Sequence, residues 1–100
     1  MSMQMITAKN AGATQTLAAI DVDSLGVSTL ELPSGWSYIK YENTGSEIVW
    51  EGDSDVSPAT KRGTRLNPGD IVFIDSPSPL WETSFICATN KTSTISVQGG

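Results

Sequence analysis

The sequence predicts an all-β protein: a single antiparallel β-sandwich or small barrel of about seven to eight short strands. Clusters of Gly, Pro, Asn and Asp recur about every 8–12 residues, the spacing of turns in sandwiches and barrels. The segments between them are short and rich in β-branched and aromatic residues. A chain of 100 residues makes one domain of ordinary size. We therefore expect residues 1–100 to form one β domain, with residues 1–12 as an N-terminal arm or edge strand.

The N-terminal third gives the weakest pattern. Residues 14–22 place Thr16, Ala18, Ile20 and Val22 at a period of two, which favours a strand. The same stretch is rich in Ala, so two turns of helix are the alternative. Residues 25–32 read as another short strand that ends at Pro33.

The central segments alternate more clearly. Residues 36–41 place Tyr38 and Lys40 on one face and Ile39 and Tyr41 on the other. Residues 47–51 follow a turn that begins at Asn43, so we expect the two segments to form a hairpin. Residues 70–75 read as a compact apolar strand with an Asp at each end.

The C-terminal segments also alternate. Residues 81–89 and residues 92–98 each predict a strand, and the short connection between them suggests a second hairpin. In the last strand, Ile95 and Val97 are expected to point inward, with Thr94 and Ser96 outward.

Composition excludes several functions. Eleven acidic and six basic residues give a net charge of −5, which argues against a nucleic-acid partner because phosphate binding needs a basic face. There is no His, so His-dependent nucleophiles and the commonest metal ligand are missing. Cys87 is the single cysteine and is expected to be a buried, inert thiol. We predict no catalytic residues, no metal and no cofactor.

The sequence also predicts no membrane partner and no secretory signal. The longest aliphatic runs, residues 17–20 and 71–74, fall far short of the ~20 residues that span a bilayer. Residues 1–10 lack a basic segment followed by a long apolar one.

The three tryptophans are candidate contact residues. Trp36, Trp50 and Trp81 are large enough to anchor a protein interface or to stack on a sugar ring. The alternative is that they fill a core that is only ~10 Å thick. With three of them in so small a domain, we expect at least one to be partly exposed.

The acidic residues also allow both a functional and a purely structural interpretation. Asp53 and Asp55, like Asp21 and Asp23, have the spacing of some calcium ligands but lack the rest of the loop, which favours plain turns. Glu51 and Glu82 each adjoin a Trp, yet a chain of this size has little room for a glycosidase cleft.

One basic cluster and one apolar terminus complete the candidates. Lys61, Arg62 and Arg65 carry half of the positive charge, which is consistent with docking on an acidic protein surface or with a solvated loop tip. Met3 and Met5 would suit an arm laid across a neighbouring subunit, because Met adapts to irregular surfaces.

Residues 43–97 resemble small β-rich structural proteins of tailed bacteriophages. The resemblance rests on the turn at Asn43-Thr44-Gly45, the stretch from Val49 to Ser57, and the Leu66-Asn67-Pro68-Gly69-Asp70 turn before a strand. A late aromatic strand from Leu80 and a terminal Thr94-Ile95-Ser96-Val97 complete it. It implies a virion component assembled in the host cytoplasm, and residues 1–42 do not share it.

The function we expect is that of a non-enzymatic virion structural protein. The leading hypothesis is a capsid decoration (cement) protein that bridges subunits of the major capsid protein, and a homo-oligomer, a trimer above all, is expected. The alternatives are a neck, tail or fibre-associated subunit, and a small carbohydrate-binding module that uses an exposed Trp.

Overall fold

The computed structural model describes residues 14–100, which form nine antiparallel strands and no helix. Met3 and Met5 lie outside the described residues. The strands are, in chain order, β1 (Gln15–Thr16), β2 (Ile20–Val22), β3 (Ser28–Glu31), β4 (Tyr38–Asn43), β5 (Val49–Gly52), β6 (Thr64–Leu66), β7 (Ile71–Asp75), β8 (Glu82–Cys87) and β9 (Ser93–Gly99). No part of the described chain forms an apolar helix long enough to cross a membrane.

The strands divide into two sheets. Sheet A has the order β1-β9-β4-β7, and β2 also pairs with β9. Because Gln15 lies opposite Gly99 and Ile20 opposite Ile95, β1 and β2 are two parts of one interrupted edge strand. This confirms that residues 14–22 are extended, as the sequence pattern favoured, and not helical. Sheet B has the order β3-β8-β5-β6.

The connectivity is that of a jelly roll. From β2 onward, each strand lies in the sheet opposite to that of its predecessor, except that β5 and β6 are neighbours in sheet B. Two four-stranded layers related in this way are the jelly-roll form of the β-sandwich. The predicted fold class is confirmed, as a sandwich and not as a barrel.

The two predicted hairpins are wrong. β4 belongs to sheet A and pairs with β7 and β9, whereas β5 belongs to sheet B and pairs with β6 and β8. The connection from β8 to β9 crosses between the sheets in the same manner. Turn residues indicated where the chain reverses, but a reversal can lead into the facing sheet as well as into the neighbouring strand.

Alternation along the strands builds the core. Ile39 and Tyr41 of β4 point inward, as do Ile95 and Val97 of β9, in agreement with the sequence pattern. Sheet B contributes Phe85, whose ring meets that of Tyr41 edge-on at a centroid distance of 5.5 Å. The buried apolar residues are Val22, Leu30, Trp36, Ile39, Tyr41, Val49, Leu66, Phe85, Cys87, Ile95 and Val97.

Asn43 closes one end of the sandwich. Its fully buried amide donates to the carbonyls of Glu47 and Leu66, each at 2.8 Å. Its side-chain oxygen accepts from the Ser93 hydroxyl at 2.7 Å and from the Gly45 backbone N–H at 3.1 Å. All four hydrogen-bonding positions of the amide are used, so one side chain fixes three connections to each other.

The opposite end of the sandwich brings together three connections and both ends of the described chain. The connections 32–37, 53–63 and 76–81 all lie there, because β3, β5 and β7 run toward it and β4, β6 and β8 run away. Residues 14 and 100 are at the same end, since Gln15 pairs with Gly99. We call it the proline end, after Pro33, Pro58, Pro77 and Pro79.

Candidate interaction surface

Trp36 belongs to the core, which is the alternative that the sequence left open for each tryptophan. It is 8% exposed. Its backbone N–H donates to the Pro33 carbonyl at 3.2 Å, and this turn folds the indole back over the proline end. The ring lies against Gly99, where any side chain would collide with it. Trp36 therefore caps the hydrophobic core.

Trp50 and Trp81 are both partly exposed, which confirms that at least one Trp reaches the surface. Trp81 lies at the proline end, just before β8, and its ring tilts against that of Tyr41 at 6.0 Å. Trp50 lies on the outer face of sheet B between Ile86 of β8 and Arg65 of β6. The two indoles are thus on different parts of the surface.

The connection 76–81 presents an apolar side chain at the proline end. Leu80 is 89% exposed. Pro77 and Pro79 restrict the loop, and the Trp81 N–H donates to the Ser78 carbonyl at 2.9 Å. Two further backbone bonds, Ser76 N–H to Ser37 and Leu32 N–H to Trp81, tie the loop to neighbouring chain. Leu80 is consequently held out on a fixed loop.

Two adjoining depressions flank this loop. The larger, about 450 Å³, is lined by uncharged residues of the connections 32–37 and 76–81, including Pro33, Trp36 and Pro77. The smaller, about 190 Å³, we call the notch; its lining residues are Glu31, Leu32, Pro79, Leu80, Trp81 and Glu82. Both are open to solvent; the larger exposes polar and apolar surface about equally, and the notch exposes more polar than apolar surface. Such a mixture of polar and apolar surface is usual in protein interfaces.

The predicted basic cluster is exposed at the same end, but one of its members is already paired. Arg62 donates through Nη2 and Nε to the Asp53 carboxylate at 2.6 and 3.2 Å. This hydrogen bond holds the pKa of Asp53 below its usual value and raises that of Arg62. Within residues 14–100 this is the one salt bridge. Lys61 and Arg65 are left with no acidic partner among the described residues.

The outer face of sheet A carries a second apolar area. Phe73 is 59% exposed on β7, the edge strand that was predicted to be compactly apolar. Its ring stacks on that of Tyr38 at 5.6 Å, and Ile71 is exposed beside it. Asp70 directly precedes β7 and Asp75 is its last residue. Charges at the ends of an edge strand discourage edge-to-edge pairing.

Inside the sandwich, one carboxylate is held by two hydroxyl groups. Glu51 Oε2 accepts from the Tyr41 hydroxyl and, at 3.0 Å, from that of Thr83. Burial, then this hydrogen bond and the charge of Glu51, raise the pKa of Tyr41. Glu82 points outward on β8, so Glu51 and Glu82 do not face each other across a cleft.

The other candidates are turn and core residues. Asp53 and Asp23 each accept a hydrogen bond from the backbone two residues later, at 2.9 Å. No group of three acidic or thiol side chains converges anywhere in residues 14–100. Cys87 is buried, as predicted, and its Sγ lies 3.6 Å from the Val22 carbonyl.

Comparisons with protein-family models, with curated proteins and with solved structures found no match to this chain.

Sequence reasoning missed Leu80, Phe73 and Glu31, and it did not pair Glu82 with Glu31. Glu31 lies directly opposite Glu82 on neighbouring strands, a pairing that requires the register of β3 with β8. Leu80 did carry a signal: an aliphatic residue between two prolines and a Trp has little chance of entering a strand.

Proposed function

We propose that this protein is a non-enzymatic structural subunit that docks on other proteins through its proline end, and that its role is capsid decoration. The observation that carries the proposal is Leu80, almost fully exposed on a loop that backbone hydrogen bonds tie to neighbouring chain, beside two open depressions. A backbone held in place in advance loses less conformational entropy on binding, which favours a contact residue.

The electrostatic arrangement supports a binding role rather than a catalytic one. The buried polar side chains of the described chain are satisfied by partners inside the protein. The carboxylate of Glu51 is occupied by two hydroxyl groups on the core side of sheet B. Two large apolar side chains, in contrast, remain largely exposed: Leu80 at the proline end and Phe73 on sheet A.

The choice of a capsid role rests on two weaker supports. Jelly rolls are recurrent in viral capsid domains, although lectins and cupins use them too. Residues 43–97 also resemble small structural proteins of tailed phages. A cement protein needs a stiff domain with several contact areas, and many modest contacts add up when they repeat over a shell.

The test is binding of the purified protein to expanded capsids of the virus that encodes it. We expect saturation at hundreds of copies per particle and a higher melting temperature of the capsids. Leu80→Ser should lower the affinity by roughly 10- to 100-fold, since burying one Leu contributes about 1.5–3 kcal/mol, while the fold is unaffected. Ser54→Ala, at another exposed position of the proline end, is the control.

Capsids that neither bind the protein nor change in melting temperature would overturn the decoration role. Saturation near a dozen copies would instead assign the chain to a neck or tail ring.

A carbohydrate-binding module is the second candidate, favoured by the partly exposed indole of Trp50 on the outer face of sheet B beside Arg65. Aromatic rings on such faces stack on sugars. Glycan-array binding that is lost in Trp50→Ala and kept in Trp81→Ala would support this function, and an array without signal would reject it.

A further inference from the structure

We infer that the notch of one copy receives the basic side chains of a second copy, so that the protein assembles head to tail through opposite edges of sheet B. The inference deepens the proposed function, because it names a partner for part of the proline end. It starts from Glu31 and Glu82, which lie directly opposite each other in the register of β3 and β8. Both are exposed, and neither forms a salt bridge with any described residue.

Two like charges on directly opposed strand positions destabilise a sheet. Here they rim a depression whose remaining lining is apolar: Leu32, Pro79, Leu80 and Trp81. A side chain with an aliphatic stem and a cationic head matches both parts, because the stem packs on Trp81 and Leu80 while the head lies between the carboxylates. Lys and Arg are the two side chains of that form.

The chain itself supplies such side chains at the opposite edge of the same sheet. Lys61 lies in the loop before β6, and Arg65 lies in β6 itself. β6 is the edge strand farthest from β3 in sheet B. Arg62 is held by Asp53, so it shapes the loop and leaves Lys61 and Arg65 to contact another molecule. Lys61 adopts a left-handed backbone conformation with φ of 57°, which turns the chain sharply at the tip of this loop.

The positions of the two areas make the contact heterologous. They lie at the same end of the sandwich but at opposite edges of sheet B, about three strand spacings or ~14 Å apart. Repetition of a heterologous contact gives a ring where its rotation closes and an open filament where it does not. The charges also oppose a two-fold contact of notch with notch, which would bring four glutamates together.

The test uses two variants of the isolated protein that reverse the charges separately. Glu31→Lys with Glu82→Lys alters the notch, and Lys61→Glu with Arg65→Glu alters the basic edge. In sedimentation at low salt, we expect the native protein to self-associate and each variant to do so at least tenfold more weakly. An equimolar mixture of the two variants should associate again, since each carries the complement of the other.

Matched controls change the net charge equally elsewhere. Glu42→Lys with Asp70→Lys and Lys40→Glu with Lys91→Glu should self-associate as the native protein does. Circular dichroism melts establish that every variant is folded, and Lys61→Glu alone, at an exposed loop position, provides a milder version. Raising the salt concentration should weaken the native association.

A native protein that stays monomeric at every concentration, or a mixture that does not associate, would overturn the inference. Capsid binding by a monomer would leave the decoration role intact. Self-association without capsid binding would support the head-to-tail assembly and overturn the decoration role.

Discussion

At the scale of single residues, polar groups inside this sandwich do as much to fix its shape as apolar ones. Asn43 is the clearest case. It is the last residue of β4, it is completely buried, and it joins Gly45, Glu47, Leu66 and Ser93. These partners lie in or directly beside three different connections. The amide therefore holds together an end of the sandwich that is built of loops.

Replacing Asn43 with Ala should therefore cost about 3 kcal/mol of unfolding free energy. The substitution leaves two buried carbonyls, a hydroxyl and an N–H without their partner, and each unsatisfied buried group costs about 1–3 kcal/mol unless water reaches it. Urea denaturation measures the change. Asn67→Ala, an exposed Asn at the same end, should stay within about 0.5 kcal/mol. Equal effects of the two substitutions would contradict the role given to Asn43.

Cys87 should be unreactive in the folded protein. Burial raises the pKa of its thiol, with smaller contributions from the charges of Glu47 and Asp23, and only the thiolate attacks disulfide reagents. At pH 8 we expect labelling by such a reagent to be at least about 100-fold slower in the native protein than in urea. A Ser54→Cys variant adds an exposed thiol that should react at once.

The same pKa shift has a consequence for stability. A thiol that holds its proton more tightly when folded contributes stability that is fully present below the pKa of the unfolded thiol, ~8.5, and is lost as the pH rises above it. Native Cys87 should therefore lose stability between pH 8 and pH 10 relative to Cys87→Ala. A difference that does not change across this range would argue against a buried thiol.

At the scale of elements, alternation in the sequence located the strands but not their partners. β9 was expected with Ile95 and Val97 inward, and this is how it lies. Alternation could not predict which strands pair or in which register, because the pairing of β4 with β9 joins residues about 55 positions apart in the chain. A turn such as Asn43-Thr44-Gly45 looks the same whether it closes a hairpin or crosses to the other sheet. Only the burial of the Asn43 side chain distinguishes the crossing between sheets from a hairpin.

The candidate site was predictable to a similar degree. The exposure of Lys61, Arg62 and Arg65 follows from their charge, and the partial exposure of Trp50 and Trp81 from the limited volume of the core. The burial of Trp36 does not follow from the pattern of its strand, which puts it on the same face as Tyr38 and Lys40. It precedes β4, however, and the turn at Pro33 rotates it inward.

The connection 53–63 should loosen when its one ion pair is removed. Asp53 accepts from Arg62 and from the backbone of Asp55, so Asp53→Asn weakens both ends of the loop. Because the pair is exposed, we expect the melting temperature to change little. Trypsin should cut after Lys61 and Arg62 several-fold faster, which mass spectrometry can follow. Asp55→Asn should leave the cleavage rate nearly unchanged.

At the scale of the whole molecule, the jelly-roll connectivity makes almost every sheet contact distant in sequence. Of the strand pairs, only β5 with β6 joins consecutive strands. Non-local pairing slows folding, because the entropy of closing large loops is lost before contacts between the strands compensate for it. We expect refolding in milliseconds to seconds, measured by tryptophan fluorescence in a Trp50→Phe, Trp81→Phe variant, which reports on Trp36 as it enters the core. A synthetic peptide of residues 36–52, which contains β4 and β5, should show no hairpin by NMR, since its two strands do not pair in the protein. Refolding in microseconds, or a hairpin in that peptide, would contradict the crossing between sheets on which the arrangement of the proline end depends.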